Sequence, residues 1–308
     1  MPPSRALITV AAAQHSAVFL KRHESIEKAC ALIAEAAQNG ARLVVFPEAF
    51  IPGYPDWVWL VKNSDGAQLN QYYRELVENA VTVPDESTET LCEAARSAGI
   101  HVAIGINELN AEGSGASLFN TILFVSDQGS ILGAHRKLLP TGGERTVWGR
   151  GDGSTLYAFD TSIGKLGGLA CWENYMPLAR QAMYEMGVQI HAAPTWDSSE
   201  PWLIAMRSMA REGGTFVISC CQALRMDEIP EGYEFKQLYP DGREWINPGN
   251  SCIVDPMGKV LAGPLKASQE ILYADLDLDL IPAAKRMFDA AGHYARPDVF
   301  RFEVNRGG

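Results

Sequence analysis

The chain has 308 residues, 47% of them apolar and 20% charged, with 26 Lys and Arg against 37 Asp and Glu, a formal net charge of −11. That composition is ordinary for a soluble globular protein, and the length buries a sizeable core without staples. The acidic balance argues against a nucleic-acid partner, which would need a basic face.

The six cysteines (Cys30, Cys92, Cys171, Cys220, Cys221 and Cys252) include no C-x-x-C pair and are expected to be the reduced thiols of a cytoplasmic protein. The opening MPPSRALITVAAAQ lacks a basic region followed by a long apolar core and a cleavage site, so it reads as a first strand. No segment reaches the roughly 18 apolar residues of a membrane span, and no membrane partner is expected.

Strand and helix patterns alternate along the chain. Residues 5–13 read as a buried strand. A helix follows near 23–39, with Ile26, Ala29, Cys30, Ile33, Ala34 and Ala37 at spacings of three and four and Gly40 at its stop. RLVVF, residues 42–46, is a second strand ended by Pro47, and 52–65 is a loop rich in aromatics. Helices are expected near 66–79 and 86–98, then strands near 100–108 and 118–126 around a polar EGSG turn, and another near 130–135. Residues 138–155 are glycine-rich and aperiodic, and a connection of that length is often functional. Strands near 156–160 and 165–170 precede a helix near 175–186. A strand at 188–193, a helix near 200–212 and a strand at 215–221 come next. Residues 226–249 read as a second long loop. Short strands near 250–254, 259–262 and 271–276 lead to a last helix near 281–291. The alternation, without repeat or linker, argues for one α/β layered domain over residues 1–308.

Three reactive side chains follow strands directly: Glu48 after RLVVF, Lys137 after SILGAH, and Cys171 after KLGGLA. Ligands of α/β sheets collect at the carboxyl ends of strands, so the three are candidates for one pocket. Each also has a bland reading, as a loop charge, a solvated lysine or a small core residue. Their surroundings favour chemistry. Glu48 has apolar neighbours on both sides, which predicts burial and a raised carboxyl pKa suited to proton transfer. Lys137 is its candidate partner and could face a developing anion. A helix expected to start beside Cys171 would favour a thiolate.

At these residues the sequence resembles the nitrilase branch of the carbon–nitrogen hydrolase superfamily. The resemblance rests on FPEAFIPGYP, HRKLLPTGGERTVWGRGDG and CWENYMPLAR, and runs from about Arg5 to about Phe302. It implies an α/β fold, a four-layer α-β-β-α sandwich, in a homodimer or larger homo-oligomer. It implies a Glu–Lys–Cys triad of Glu48, Lys137 and Cys171. A second glutamate, Glu144, would steady Lys137 or the substrate, with a salt bridge to Arg145 as the alternative. The Trp172 backbone N–H would help to stabilise negative charge. By the same likeness Tyr54, Trp148, Trp172 and Trp196 are pocket walls, whereas Trp57 and Trp59 are expected in the core.

The resemblance implies hydrolysis of a small-molecule nitrile to the acid and ammonia through a thioimidate and a thioester on Cys171, with no metal or organic cofactor. CWEN favours this branch over amidases and N-carbamoyl hydrolases that share the triad. A cyanide-converting enzyme and an inactive scaffold are the remaining alternatives. His135 and His191 are expected to be hydrogen-bonded structural residues. GRGDG lacks the lysine and the serine or threonine of a phosphate loop. Cys220 and Cys221 read as core.

Overall fold

The computed structural model describes residues 7–113 and 115–307. Arg5 and Ala6 of the expected first strand, and Ser114 of the EGSG turn, lie outside the described residues.

The first half comprises β1 (Ile8–Gln14), α1 (Arg22–Gln38), β2 (Leu43–Val45), α2 (Gly66–Glu78), α3 (Glu86–Ala98), β3 (His101–Leu109), β4 (Leu118–Val125) and β5 (Ile131–Arg136). The second half has β6 (Ala158–Thr161), β7 (Gly164–Gly168), α4 (Pro177–Glu185), β8 (Ile190–Thr195), α5 (Glu200–Gly213), β9 (Phe216–Cys221) and β10 (Ala223–Arg225). It continues with β11 (Trp245–Pro248), β12 (Ser251–Val254), β13 (Val260–Leu265), β14 (Glu270–Leu276) and α6 (Leu280–Met287).

Two six-stranded sheets result, ordered β14-β1-β2-β3-β4-β5 and β13-β12-β9-β8-β7-β6. Each is built around three parallel strands, β1-β2-β3 in one and β7-β8-β9 in the other, flanked by antiparallel neighbours. Alternation along the strands sorts side chains to two faces. Val10 and Ala12 of β1 and Leu43 and Val45 of β2 face the second sheet, where they meet Ile190, Ala192, Phe216, Ile218 and Ile253. Ala11, Ala13 and Val44 face the other way and pack under α1 and α3. On the far side, Val217, Cys252 and Val254 pack against Trp202, Met206 and Met209 of α5. The layers therefore run helix, sheet, sheet, helix, as the resemblance implies.

Local signals explain the helix limits. α1 buries Ile26, Ala29, Leu32, Ile33 and Ala36, one stripe at helical spacing. α3 starts at a capping box between Asp85 and Thr88 and ends at Gly99 in the left-handed conformation.

Three expectations change. The loop expected over 226–249 contains β11, which pairs antiparallel with β10. A four-residue strand ending in proline has too few alternating positions to show a period. The last helix stops at Met287, short of the expected 291. The element that starts at Cys171 is a single 3-10 turn, Cys171–Tyr175, and α4 begins only at Pro177.

One close approach positions the site. The segment after β2 bulges across β3, with Gly105 N–H donating to Pro47 and Ile51 N–H donating to Gly105. A Cβ on Gly105 would run into the backbone of Pro47, Glu48 and Ala49. Gly105→Ala is therefore expected to displace Glu48 and destabilise the fold by about 1–3 kcal/mol, because backbone cannot yield as a flexible side chain does. Thermal melting checks this, and an unchanged melting temperature would contradict it.

Candidate active site

The two sheets deliver their reactive residues to the same end of the sandwich. Glu48 follows β2 and Lys137 follows β5 in one sheet, while Cys171 follows β7 in the other. Glu144 comes from a 3-10 turn, Gly142–Thr146, in the glycine-rich segment.

Lys137 is fully buried, with Nζ donating to Glu48 Oε1 and to Glu144 Oε2, both at 2.7 Å. Glu48 Oε1 also accepts from Asn120 Nδ2 at 2.7 Å, and its Oε2 accepts from the Trp196 backbone N–H at 2.9 Å. Glu144 further accepts from the Tyr54 hydroxyl and the Thr141 N–H, each at 2.7 Å. Arg145 turns away and donates from Nε to Pro140 O, so Glu144 is joined to Lys137 and not to its neighbour.

Burial raises the Glu48 carboxyl pKa and Glu144 adds to this, outweighing Lys137. The sequence-based expectation for Glu48 holds. For Lys137 burial opposes the charge, but Glu48, Cys171 and Glu144 together hold the ammonium more firmly than usual.

Cys171 departs from expectation. Burial pushes its thiol pKa up, Glu48 and Glu144 push it further, and Lys137 only partly offsets them. Burial and the nearby carboxylates thus favour the thiol over the thiolate, against the expectation drawn from a helix start. The residue sits at φ 49°, in the left-handed region that non-glycine residues rarely adopt. Its neighbours enforce this. Asn174 Nδ2 donates to the carbonyls of Leu169 and Cys171. Glu173 accepts from the Ala170 and Leu138 N–H groups at 2.8 Å and from His135 Nε2 at 3.0 Å. One buried carboxylate thus ties the residue after Lys137 to the residue before Cys171. His135 and His191 are structural, as expected: His191 Nε2 meets Asn174 Oδ1, and burial pulls its pKa down to about 3.

Thr195, at the end of β8, was not singled out from sequence. Its hydroxyl donates to Cys171 Sγ at 3.2 Å. The rule that strand ends carry chemistry, applied to IHAAPTW, would have found it. Asn120 and Glu173 were missed for another reason: their partners come from distant segments, Glu48 for Asn120 and His135 with the Leu138 N–H for Glu173.

The thiol opens on a cavity of about 670 Å³ whose wall includes Tyr54, Trp59, Met176, Trp172 and Trp196. Trp196 stacks on Tyr54 at 4.3 Å and 6°. Trp172 is half exposed and donates from Nε1 to Asp197. Trp148 stands a layer back, edge-on to Tyr54, with Nε1 donating to Asn107. Trp57 is core, but Trp59 is 45% exposed and lines the cavity, contrary to expectation, since the 3-10 turn Asp56–Trp59 points the two rings apart. Among the described residues, no three His, Cys, Asp or Glu side chains gather to hold a metal ion. Among them, too, no helix is long and apolar enough to cross a membrane.

The family model for carbon-nitrogen hydrolases matches residues 9–286. The chain belongs to the carbon–nitrogen hydrolase family. It is 45% identical over 91% of its length to a nitrilase of Bradyrhizobium diazoefficiens, 87% of which is covered. It is 42% identical over 98% of its length to nitrilase 2 of Arabidopsis thaliana, 90% of which is covered. The fold is shared with Saccharomyces cerevisiae Nit3, a member of branch 10 of the nitrilase superfamily, at a TM-score of 0.75 and 22% identity over 95% of this chain and 98% of that one.

The Glu173–His135 pair has a pH signature. Burial opposes the charge on each partner, yet their mutual attraction and the two backbone donors lower the Glu173 pKa below 4.5 and raise the His135 pKa above 6.5. The histidine's contribution is full below pH 6.5 and fades as pH rises through its raised value; the glutamate's is full above pH 4.5 and fades as pH falls through its lowered value. Glu173→Gln is expected to lose about 3–5 kcal/mol near pH 6 and less near pH 9. Denaturant unfolding at both pH values measures this, and a pH-independent deficit would refute the pair's charge.

Proposed function

We propose that this chain is a nitrilase, a single hydrolase domain in which Cys171 is the nucleophile, Glu48 the proton-transfer group, and Lys137 with Glu144 the stabilisers of charged states. The buried Glu48–Lys137–Glu144 cluster beside the Cys171 cavity carries the reading. Its likeness to relatives named nitrilases selects a nitrile over an amide. The cavity, walled by Tyr54, Trp59, Trp172 and Trp196, has room for an organic substituent well beyond hydrogen cyanide. The free cysteines of the described residues support a reducing, cytoplasmic setting, and the family resemblance supports a homodimer or larger assembly.

In this reaction the Cys171 proton passes through Glu48 to the nitrile nitrogen as sulfur bonds to the nitrile carbon, giving a thioimidate. Glu48 then takes a proton from water, whose oxygen adds to the same carbon. Glu48 passes that proton to the nitrogen, the new hydroxyl gives it a second, and as the carbon–nitrogen bond breaks ammonia leaves and a thioester remains. A second water cleaves the carbon–sulfur bond, releasing the acid and restoring the thiol. Lys137 and the Trp172 N–H, which as an early residue of a helical turn has no partner within it, face the developing negative charge.

Ammonia release from phenylacetonitrile, mandelonitrile, benzonitrile, aliphatic dinitriles, cyanide and the matching amides tests the reading. Turnover is expected with at least one organic nitrile, and Cys171→Ala should remove it by about 10³-fold or more while the protein stays folded. An active Cys171→Ala protein, or turnover of amides alone, would overturn it.

A further inference from the structure

Asp56 is a carboxyl in the wrong place for stability. It lies in the 3-10 turn Asp56–Trp59 at 5% exposure, and burial pushes its pKa up to about 7. Its Oδ2 has no hydrogen-bond partner among the described residues. Its Oδ1 accepts one bond, from the Trp196 indole Nε1 at 3.1 Å. The Trp196 bond and the charge of Arg243 only partly offset the burial, and a buried carboxyl with a single hydrogen-bond donor is less favourable than an apolar side chain of the same size. Stability therefore does not account for it, and its one side-chain hydrogen bond is the place to look.

Trp196 bonds directly to Glu48 and stacks on Tyr54, and through its neighbours it connects to the rest of the candidate site. Its backbone N–H donates to Glu48 Oε2 at 2.9 Å. Its ring stacks on Tyr54, whose hydroxyl donates to Glu144 Oε1 at 2.7 Å. The residue before it, Thr195, donates to the Cys171 sulfur. Asn247 holds its carbonyl from the other side at 2.6 Å. The indole is thus a lever. The ring on Tyr54 and the N–H on Glu48 belong to one residue, so a displaced ring pulls on the backbone that reaches Glu48. Asp56 accepts the indole's hydrogen bond and so opposes such a displacement. It sits beside Trp57, which packs against Phe19 and Tyr72 and makes the anchor rigid.

We propose that Asp56 is a positioning residue that acts through the Trp196 indole to hold Glu48 in place for the Cys171 thiol. Asp56 does not line the cavity and does not touch substrate. The proposal rests on Glu48 being the acceptor of the thiol proton.

The test compares the rate at which iodoacetamide alkylates Cys171, located by peptide mass mapping, in the wild type and in Asp56→Ala, Asp56→Asn, Trp196→Phe, Glu48→Gln and the double variant Asp56→Ala/Glu48→Gln. Loss of the acceptor should slow alkylation about tenfold to hundredfold, the scale of a small misplacement of a reacting group. kcat on a nitrile should fall in parallel, with KM moving less than about twofold. Asp56→Asn keeps an acceptor oxygen and should recover most of the rate. Trp196→Phe keeps an aromatic ring, removes the indole donor, and should reproduce the loss with Asp56 itself still in place. In the Glu48→Gln background, Asp56→Ala should slow alkylation no further, since a residue acting through Glu48 has nothing left to position. Wild-type alkylation in Trp196→Phe, or losses in the double variant that multiply, would overturn the proposal. A wild-type protein that releases no ammonia from any nitrile would instead defeat the nitrilase reading, while the alkylation series would still decide the role of Asp56.

Discussion

One ammonium buried between two carboxylates is the constraint on which the site depends. Removing Lys137, Glu48 and Glu144 from water carries a penalty of several kcal/mol per ion, and attraction between them offsets it only when every remaining proton and lone pair is matched. The matching is nearly complete. Glu48 receives Lys137, Asn120 and a backbone N–H, and Glu144 receives Lys137, Tyr54 and a backbone N–H. Such a cluster tolerates little movement, because losing one partner strands a charge in a low-dielectric interior.

The sandwich meets this demand by bringing loops from different sheets together and locking them. Glu48 and Lys137 come from one sheet, whereas Cys171 and the Thr195–Trp196 pair come from the other. Two kinds of tie cross between them. Glu173 fastens the chain next to Lys137 to the chain next to Cys171, and Trp196 fastens the end of β8 to Glu48. Close backbone contact does the rest, at Gly105 beneath Glu48 and at Gly168, where a Cβ would strike Ala192. Neither glycine sits at a positive φ. Their role is to let main chains touch.

Much of this was legible from sequence, and what was not had physical reasons. α1 and α3 announced themselves through apolar spacing and caps, and the buried strands through short apolar runs between punctuating residues. Glu48, Lys137 and Cys171 were visible because each directly follows a strand. β11 was hidden because pairing with β10, not its own pattern, makes it a strand. Trp59 was misread because composition cannot tell which of two rings on one turn faces inward. The thiolate expectation runs against the raised Cys171 pKa because a helix start was inferred without knowing that two carboxylates would act on the buried sulfur. Asp56 gave no signal, since its proposed role rests on one bond to a residue 140 positions away.

The protonated state of Cys171 is the more informative outcome. A cluster of two carboxylates and one ammonium is already negative by one charge, so a thiolate beside it would leave two unbalanced charges in a dry interior. Burial raises the proton affinity of Glu48 as well as that of Cys171. Moving a proton from sulfur to Glu48 then leaves the net charge of the group unchanged, and only the distribution shifts. A neutral electrophile entering the cavity adds no charge either. In the proposed reaction, negative charge therefore develops only as sulfur bonds to the nitrile carbon, within reach of Lys137. A free thiolate would have carried that charge before the substrate arrived, with the nearby carboxylates opposing it. Keeping the nucleophile as a thiol until bond formation follows from the same burial that holds the lysine in place.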